Sequence, residues 1–217
     1  MSDITVTTFK WVPPIVQGLV RDLRVRWALE EAGLTYTTHL IGPPDQQSTE
    51  YLSLQPFGQV PVYQEGDLVL FESGAIVLHI AERSEVLMPG EPDARARTKT
   101  WMFAALNSVE QYAQMLTELD LFAAGQEWAK LRRPMLVAAT TARLSKLAQW
   151  LEGRKYLEDR FTAADLLMTT VLRILHHSEL ITKNATLHAY QDRCEARPAF
   201  QKALKDHLAS FAANAPA

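Results

Sequence analysis

The sequence predicts an α/β domain followed by an all-α domain, and three observations support this. Residues 4–41 have the pattern of a strand, a helix and a second strand. Residues 60–80 contain two short apolar runs that lead directly into a helical pattern. After residue 93 every sustained pattern is helical, and no strand pattern competes with it.

The first three elements are predicted from alternation, helical spacing and chain breakers. Residues Ile4 to Lys10 alternate apolar and threonine side chains, which predicts a strand, and the Pro13-Pro14 pair then requires a loop. An apolar stripe at helical spacing predicts a helix from Gly18 to Ala32, with Gly33 ending it. Residues Thr35 to Ile41 alternate again and predict the second strand.

The rest of the first half is predicted as a short helix, a hairpin and a longer helix. Residues Asp45 to Leu54 form a short polar segment that indicates a helix. Apolar runs at Val60 to Tyr63 and Leu68 to Phe71, with a Gly66 turn between them, indicate a hairpin. From Ser73 the apolar residues recur at helical spacing. The predicted order is therefore β-α-β-α-β-β-α.

The second half is predicted as a helical domain behind a linker. Proline and glycine residues mark residues 85–93 as the linker, so the predicted domains are residues 1–84 and residues 94–217. The five predicted helices run from Ala94 to Ala124, Trp128 to Glu152, Phe161 to Ser178, Ala185 to Ala196 and Pro198 to Phe211.

Composition excludes several classes of protein. The chain has 217 residues, 47% hydrophobic and 22% charged, which is typical of a globular protein with a full core. A net charge of −3 without a basic run disfavours nucleic acid and anionic membranes as partners. The single cysteine, Cys194, excludes an internal disulfide or redox pair, and no apolar stretch suggests a membrane span. We therefore expect a cytoplasmic protein.

The junction at Glu72-Ser73 is suited to a zwitterionic ligand. The first N–H groups of a helix have no internal partners and carry the positive end of its dipole, so they favour a carboxylate. The Ser73 hydroxyl is a further donor, and Glu72 offers a negative charge to an ammonium group. Upstream, the backbone of Val60 before Pro61 could pair with a peptide-like ligand as an added strand.

Two sequence motifs around this junction carry a family resemblance. The run Pro56-x-Gly58-x-Val60-Pro61 and the later Glu72-Ser73-x-Ala75-Ile76 resemble the glutathione-binding half of a cytosolic glutathione S-transferase, of a bacterial type and uncertain class. The resemblance implies a thioredoxin-like domain, glutathione as co-substrate, and a cis bond before Pro61. The residues that it implies for glutathione binding are Gln59, Val60, Pro61, Glu72 and Ser73.

A second motif lies in the helical half. Thr162-Ala-Ala-Asp165 has the spacing of a capping box, and Phe161 could staple to Leu166 at the fourth helical position. We assign Thr162 and Asp165 a structural role. The same pattern is similar to the capping segment of the family's all-α domain, so the resemblance covers both halves.

The loop that should activate the thiol lacks the usual residue. The family commonly uses a Tyr, Ser or Cys there, but the sequence from Trp11 to Arg24 contains no Ser, Thr, Tyr or Cys. The resemblance puts Leu19 or Val20 at that position. The catalytic residue is therefore unknown, and the possible thiolate partners are Gln17, Trp11, Arg21 or backbone amides near Gly18.

The electrophile is expected between the domains, and Trp11, Asn107 and Tyr112 are the predicted contacts. No metal is expected, because the adjacent His176 and His177 diverge on a helix and have no ligand partners at suitable spacing. The leading hypothesis is transfer of glutathione to a small hydrophobic electrophile in detoxification. The alternatives are glutathione-dependent disulfide or peroxide reduction, and a non-catalytic glutathione-binding module. A homodimer is implied by resemblance alone.

Overall fold

The structure is a computed structural model in which residues 3–216 are described. Contacts divide the chain into two compact units. Of the described residues, one unit contains residues 3–88 together with residues 197–216, and the other is Pro89–Ala196. The division at Met88 falls inside the predicted linker of residues 85–93. The domain boundaries proposed from the sequence stay a prediction.

The first unit is built on a mixed four-stranded sheet. Its strands are β1 (Ile4–Phe9), β2 (Tyr36–Ile41), β3 (Val62–Glu65) and β4 (Leu68–Phe71), in the spatial order β2-β1-β3-β4. Strand β1 is parallel to β2 and antiparallel to β3, and β4 is antiparallel to β3. This arrangement confirms the predicted thioredoxin-like fold.

The helices of this unit start later, or break more often, than the sequence predicts. Up to Met88 they are α1 (Asp22–Ala32), α2 (Pro43–Gln46), α3 (Thr49–Leu54) and α4 (Ser73–Ala81). The predicted start of the first helix at Gly18 is wrong because a 3-10 turn at Pro14–Val16 and a left-handed Gly18, with φ of 79°, precede α1. The predicted helix at residues 45–54 is divided because Ser48 caps α3 by accepting the Tyr51 N–H.

The second unit is entirely helical in its regular structure. Its helices are α5 (Pro92–Ala104), α6 (Gln111–Thr117), α7 (Glu127–Leu151), α8 (Ala163–Arg173) and α9 (Ala185–Glu195). Two π-helical segments, Ala105–Glu110 and Glu118–Phe122, flank α6 within the run predicted as one long helix. Helix α8 is buried from Ala163 through Leu172 and forms the centre of this unit.

The last helix, α10 (Pro198–Ala213), packs against α1 in the first unit. Arg197 makes a bidentate ion pair with Glu31 at 2.5 and 2.7 Å, and the rings of Trp27 and Phe200 meet edge to face at 4.7 Å. These contacts hold α10 and the residue before it against α1. Within residues 3–216, no helix is both long and apolar enough to cross a bilayer.

Candidate functional site

The loop before Val60 is held by hydrogen bonds to its carbonyl groups. The Gln46 side chain donates to the Gly58 carbonyl at 2.7 Å, and the Tyr51 hydroxyl donates to the Gln59 carbonyl at 2.6 Å. Gly58 has φ of 61°, and a Cβ there would lie 2.9 Å from the Gln46 carbonyl oxygen. Glycine is therefore required at this position. The loop ends in a cis bond between Val60 and Pro61, as the resemblance implies.

The loop that carries Val60 and the start of α4 lie at the same end of one strand pair. Val62, at the beginning of β3, pairs with Phe71, at the end of β4, and the two strands are antiparallel. Across residues 3–216, no hydrogen bond is made by the N–H or carbonyl of Val60. These two groups are therefore available to an extended ligand backbone.

The start of α4 is open, which here means that no side chain caps its first N–H groups. Glu72 precedes the helix with φ of 69° and ψ of 110°, a conformation that non-glycine residues rarely adopt. Its side chain makes no capping hydrogen bond and is exposed. Ser73 follows and is buried, with 5% of its surface exposed. The first N–H groups of α4 therefore meet no side-chain cap, and a carboxylate could occupy that position.

The structure adds one residue that sequence reasoning missed. Arg24 on α1 is buried, and its Nη1 donates to the Ser73 Oγ at 3.2 Å across 49 residues of sequence. The only sequence signal is a cation between the apolar residues Leu23 and Val25. That signal indicates burial with a partner but does not identify the partner.

The loop before α1 is compact and partly buried. The Gln17 side chain donates to the Val12 carbonyl at 2.9 Å, so it closes the loop on itself. Trp11 and Arg21 are both partly exposed. Val20, two residues before α1, packs against the buried cluster of Ile41, Tyr51, Val60 and Val62.

Comparisons with known proteins identify the family of this chain. Residues 7–82 match the family model described as "Glutathione S-transferase, N-terminal domain". Over 93% of both chains the protein is 30% identical to "Glutathione S-transferase 4" of Zea mays. The chain belongs to the glutathione S-transferase family. It is therefore an enzyme of the glutathione transferase type, as the sequence predicts.

Two further relatives refine this assignment. "Glutathione S-transferase 1" of Zea mays is 32% identical, with 82% of this chain and 88% of the relative covered. A crystal structure of a Burkholderia graminis glutathione transferase, described with two glutathione molecules bound per subunit, is 26% identical with a TM-score of 0.81. That match covers 94% of this chain and 88% of the other. The prediction of a bacterial-type member is not supported, because the two relatives at 30% and 32% identity are both plant proteins.

The predicted electrophile contacts of this transferase lie in different environments. Trp11 belongs to the loop before α1, in the first unit. Asn107 is exposed on the first π-helical segment, and its carbonyl accepts a hydrogen bond from the Gln111 side chain. The Tyr112 hydroxyl accepts from Arg143 at 3.0 Å, and the guanidinium lies 4.7 Å from the ring centre. Tyr112 thus has a structural partner on α7, and the assignment of all three residues stays a prediction.

Thr162 and Asp165, the capping residues of α8, both make hydrogen bonds within the protein. The Thr162 Oγ1 accepts the Ala164 N–H at 3.3 Å, and Asp165 accepts the Thr162 N–H at 2.9 Å. Asp165 also accepts the Leu157 N–H and the Tyr190 hydroxyl, at 2.9 and 3.0 Å. Burial raises the pKa of Asp165 to about 6, although these hydrogen bonds act in the opposite direction. These contacts leave no room for a ligand at the start of α8.

Cys194 and His177, two further residues considered from the sequence, are held within the protein. Cys194 is fully buried in α9. His177 contacts the Ile174 carbonyl and the Asp120 carboxylate at 3.3 and 3.2 Å, so both of its ring nitrogens face protein oxygens. In the described part of the chain, no group of three or more His, Cys, Asp and Glu side chains could hold a metal ion.

Proposed function

We propose that this chain binds glutathione at the start of α4 and transfers its thiolate to a small hydrophobic electrophile. The single observation that carries the proposal is the uncapped start of α4 at Ser73, at the same end of the β3–β4 pair as the unused backbone of Val60. One end suits a charged amino-acid head group, and the other suits an extended peptide backbone. Glutathione contains both.

Each part of glutathione has a partner of suitable chemistry. The α-carboxylate of the γ-glutamyl group takes the Ser73 hydroxyl and the first N–H groups of α4. Its ammonium group takes the exposed Glu72 carboxylate. The cysteinyl N–H and carbonyl pair with Val60, while Gln59 and Pro61 shape the loop. The related Burkholderia graminis transferase is described with glutathione bound, which supports glutathione as the ligand.

The thiol must be activated without a side-chain hydroxyl in the loop. Lowering a thiol pKa of about 8.5 by two units requires about 2.7 kcal/mol of preferential anion stabilisation. Contact of Val20 with the Val60 cluster supports a thiol position beside the start of α1. Across residues 3–216 the Val20 N–H makes no hydrogen bond, and it lies where the α1 dipole favours an anion. We assign the thiolate to this N–H.

This assignment is tested against the side-chain candidates. Trp11→Phe keeps an aromatic side chain and removes the indole N–H, and Arg21→Met removes the guanidinium. Both variants should leave the pKa of the bound glutathione thiol unchanged, as followed by thiolate ultraviolet absorbance during a pH titration. Gln17→Leu extends the test to the third candidate. A rise of about one pKa unit in any of them would instead identify that side chain as the donor.

Disulfide or peroxide reduction with glutathione is the second candidate function. The absence of Ser, Thr, Tyr and Cys between Trp11 and Arg24 favours it. A disulfide or peroxide accepts a thiolate that is only modestly activated more readily than an aryl halide does. The binding residues are the same in either reaction, so only the acceptor differs.

One set of assays distinguishes these functions. Calorimetry measures glutathione affinity, and turnover is measured with an aryl halide, an organic hydroperoxide and a mixed glutathione disulfide. Conjugation of the aryl halide supports the first function, and turnover of only the other two substrates supports the second. Binding without any turnover would leave a non-catalytic module, and no binding would overturn the proposal.

We also propose that two copies of the chain associate. Phe57 and Phe71 are 69% and 38% exposed, and their rings meet edge to face at 6.3 Å. Two adjacent exposed aromatic rings at one edge of the first unit support an apolar contact with a second copy. Phe57→Ser should convert a dimer to a monomer in light scattering with thermal stability retained. A dimer that survives this change would contradict the role of Phe57.

A further inference from the structure

The inference concerns Arg24 and rests on the proposed glutathione site. Arg24 lies in the first turns of α1 with 3% of its surface exposed. Its guanidinium donates to the Ser73 Oγ at 3.2 Å. A permanent cation is thus held behind the one hydroxyl at the start of α4. No part of the proposed function so far uses this contact.

The contact occupies one lone pair of the Ser73 hydroxyl oxygen. A serine hydroxyl has one proton to donate and accepts through its lone pairs. Because Arg24 donates to the Ser73 Oγ, the Ser73 proton is free to be donated to another acceptor. The hydrogen bond from the guanidinium to the hydroxyl and the one from the hydroxyl to a ligand oxygen then run in the same direction. The last acceptor of the two is an anion.

A second buried arginine on the same helix provides a comparison. Arg26 is also 3% exposed, but its Nε donates to the Asp22 carboxylate at 2.8 Å. Its partner is therefore an anion of the same helix. Arg24 has the Ser73 hydroxyl among its contacts, and this hydroxyl lies on another helix at the point where the α4 dipole is positive. Burial strengthens the resulting field, because the local dielectric constant is lower than that of water.

We propose that Arg24 is a positioning residue that gives the site its specificity for the α-carboxylate of the γ-glutamyl group. It acts through Ser73 and does not touch the ligand. The guanidinium orients the hydroxyl and adds positive potential to the N–H groups of α4. Ligands of the same size without this carboxylate gain nothing from Arg24.

The test compares two ligands on the same variants. The first ligand is glutathione, and the second is 4-aminobutyryl-cysteinyl-glycine, which keeps the ammonium group but lacks the α-carboxylate. Arg24→Gln should weaken glutathione binding about tenfold, as expected for loss of one charge-assisted interaction. The same variant should change the affinity of the analogue by less than about twofold. Because both titrations use one protein sample, a partial loss of folding cancels from the comparison.

Two further variants complete the test. Arg24→Lys keeps the charge, and it should recover part of the glutathione affinity. In a Ser73→Ala background, Arg24→Gln should cost much less than in the wild type, because the hydroxyl that transmits its effect is gone. Equal loss for both ligands would show a merely structural role and would overturn the inference. An unchanged preference of Arg24→Gln for glutathione would overturn it as well.

Failure of this inference is distinguishable from failure of the proposed function. If the wild-type protein binds neither ligand, the glutathione site itself is wrong. If the wild type binds glutathione more tightly than the analogue and Arg24→Gln keeps that ratio, only the role of Arg24 is wrong.

Discussion

Two helix starts in this molecule use similar residues for opposite purposes. At α8, Thr162 and Asp165 satisfy the first backbone groups, and both residues are fully buried. At α4, Glu72 is exposed, makes no capping hydrogen bond and has a positive φ. The first N–H groups of one helix are occupied by its own side chains, and those of the other are not.

The difference indicates how to tell a structural helix start from a binding site. A satisfied cap lowers the free energy of the folded chain and has nothing left to offer a ligand. An unsatisfied start with a rare backbone conformation costs stability, and its donors remain available. We therefore expect changes at α8 to affect stability alone, whereas changes at α4 affect glutathione binding.

We expect the largest effect from substitution of Asp165, which should lower the free energy of unfolding. Asp165→Ala leaves the N–H groups of Leu157 and Thr162 and the Tyr190 hydroxyl buried without this acceptor. We expect a loss of about 4 kcal/mol in the free energy of unfolding, measured by urea denaturation. Asp165→Asn, which keeps the size of the side chain, should lose less. A loss below 1 kcal/mol for Asp165→Ala would contradict the structural role.

The second prediction follows from the pKa of Asp165. Its folded-state pKa of about 6 lies above the ordinary value of 3.8, because burial disfavours the charged form. The folded state therefore binds the proton more tightly, and this contribution is complete below pH 3.8 and is lost as pH rises through 6. The difference corresponds to about 3 kcal/mol. Urea denaturation between pH 4 and 7, with Asp165→Asn as the non-titrating reference, should show this decrease; a rise would contradict it.

The third prediction concerns the open start of α4. Ser73→Ala removes a hydroxyl donor to the proposed carboxylate and should weaken glutathione binding about tenfold, or about 1.4 kcal/mol. Calorimetry measures the affinity directly. Thr162→Ala removes a hydroxyl at the other helix start and should leave the affinity unchanged. Equal affinities for wild type and Ser73→Ala would remove the basis for this site.

The fourth prediction separates strain from charge at Glu72. Glu72→Gly relieves a positive φ that costs about 1–3 kcal/mol, less the entropy cost of glycine, so we expect about 1 kcal/mol of added stability. Glutathione affinity should fall at the same time, because the carboxylate is lost. Glu72→Ala is the matched control, since it loses the carboxylate and keeps the strain. Thermal denaturation and calorimetry of the pair distinguish the two effects.

The smallest expected effect is the loss of the Thr162 cap. Thr162→Ala removes the acceptor of the Ala164 N–H, and we expect a loss of about 1 kcal/mol in unfolding free energy. Thr162→Ser keeps the hydroxyl and should retain most of the unfolding free energy that Thr162→Ala loses. If Thr162→Ala also weakened glutathione binding, the distinction between a structural helix start at α8 and a ligand-binding helix start at α4 would be wrong.

Local interactions explain which elements the sequence predicts well. The hairpin, the Gly33 end of α1 and the Thr162 start of α8 all depend on residues within a few positions of one another. The start of α1 and the division between α2 and α3 were missed for a related reason. A 3-10 turn after Pro13 and a cap at Ser48 compete locally with the helical pattern, and periodicity alone does not show which conformation wins.

The sequence by itself determined the order of the elements, the family motifs and the residue types at the start of α4. Only the tertiary structure brought Arg24 to Ser73, brought the Val60 loop to the same end of the β3–β4 pair as that serine and packed α10 on α1. The physical reason is distance along the chain. Turns and caps form between neighbouring residues, whereas a buried guanidinium finds its partner only when the sheet register and helix packing bring distant segments together.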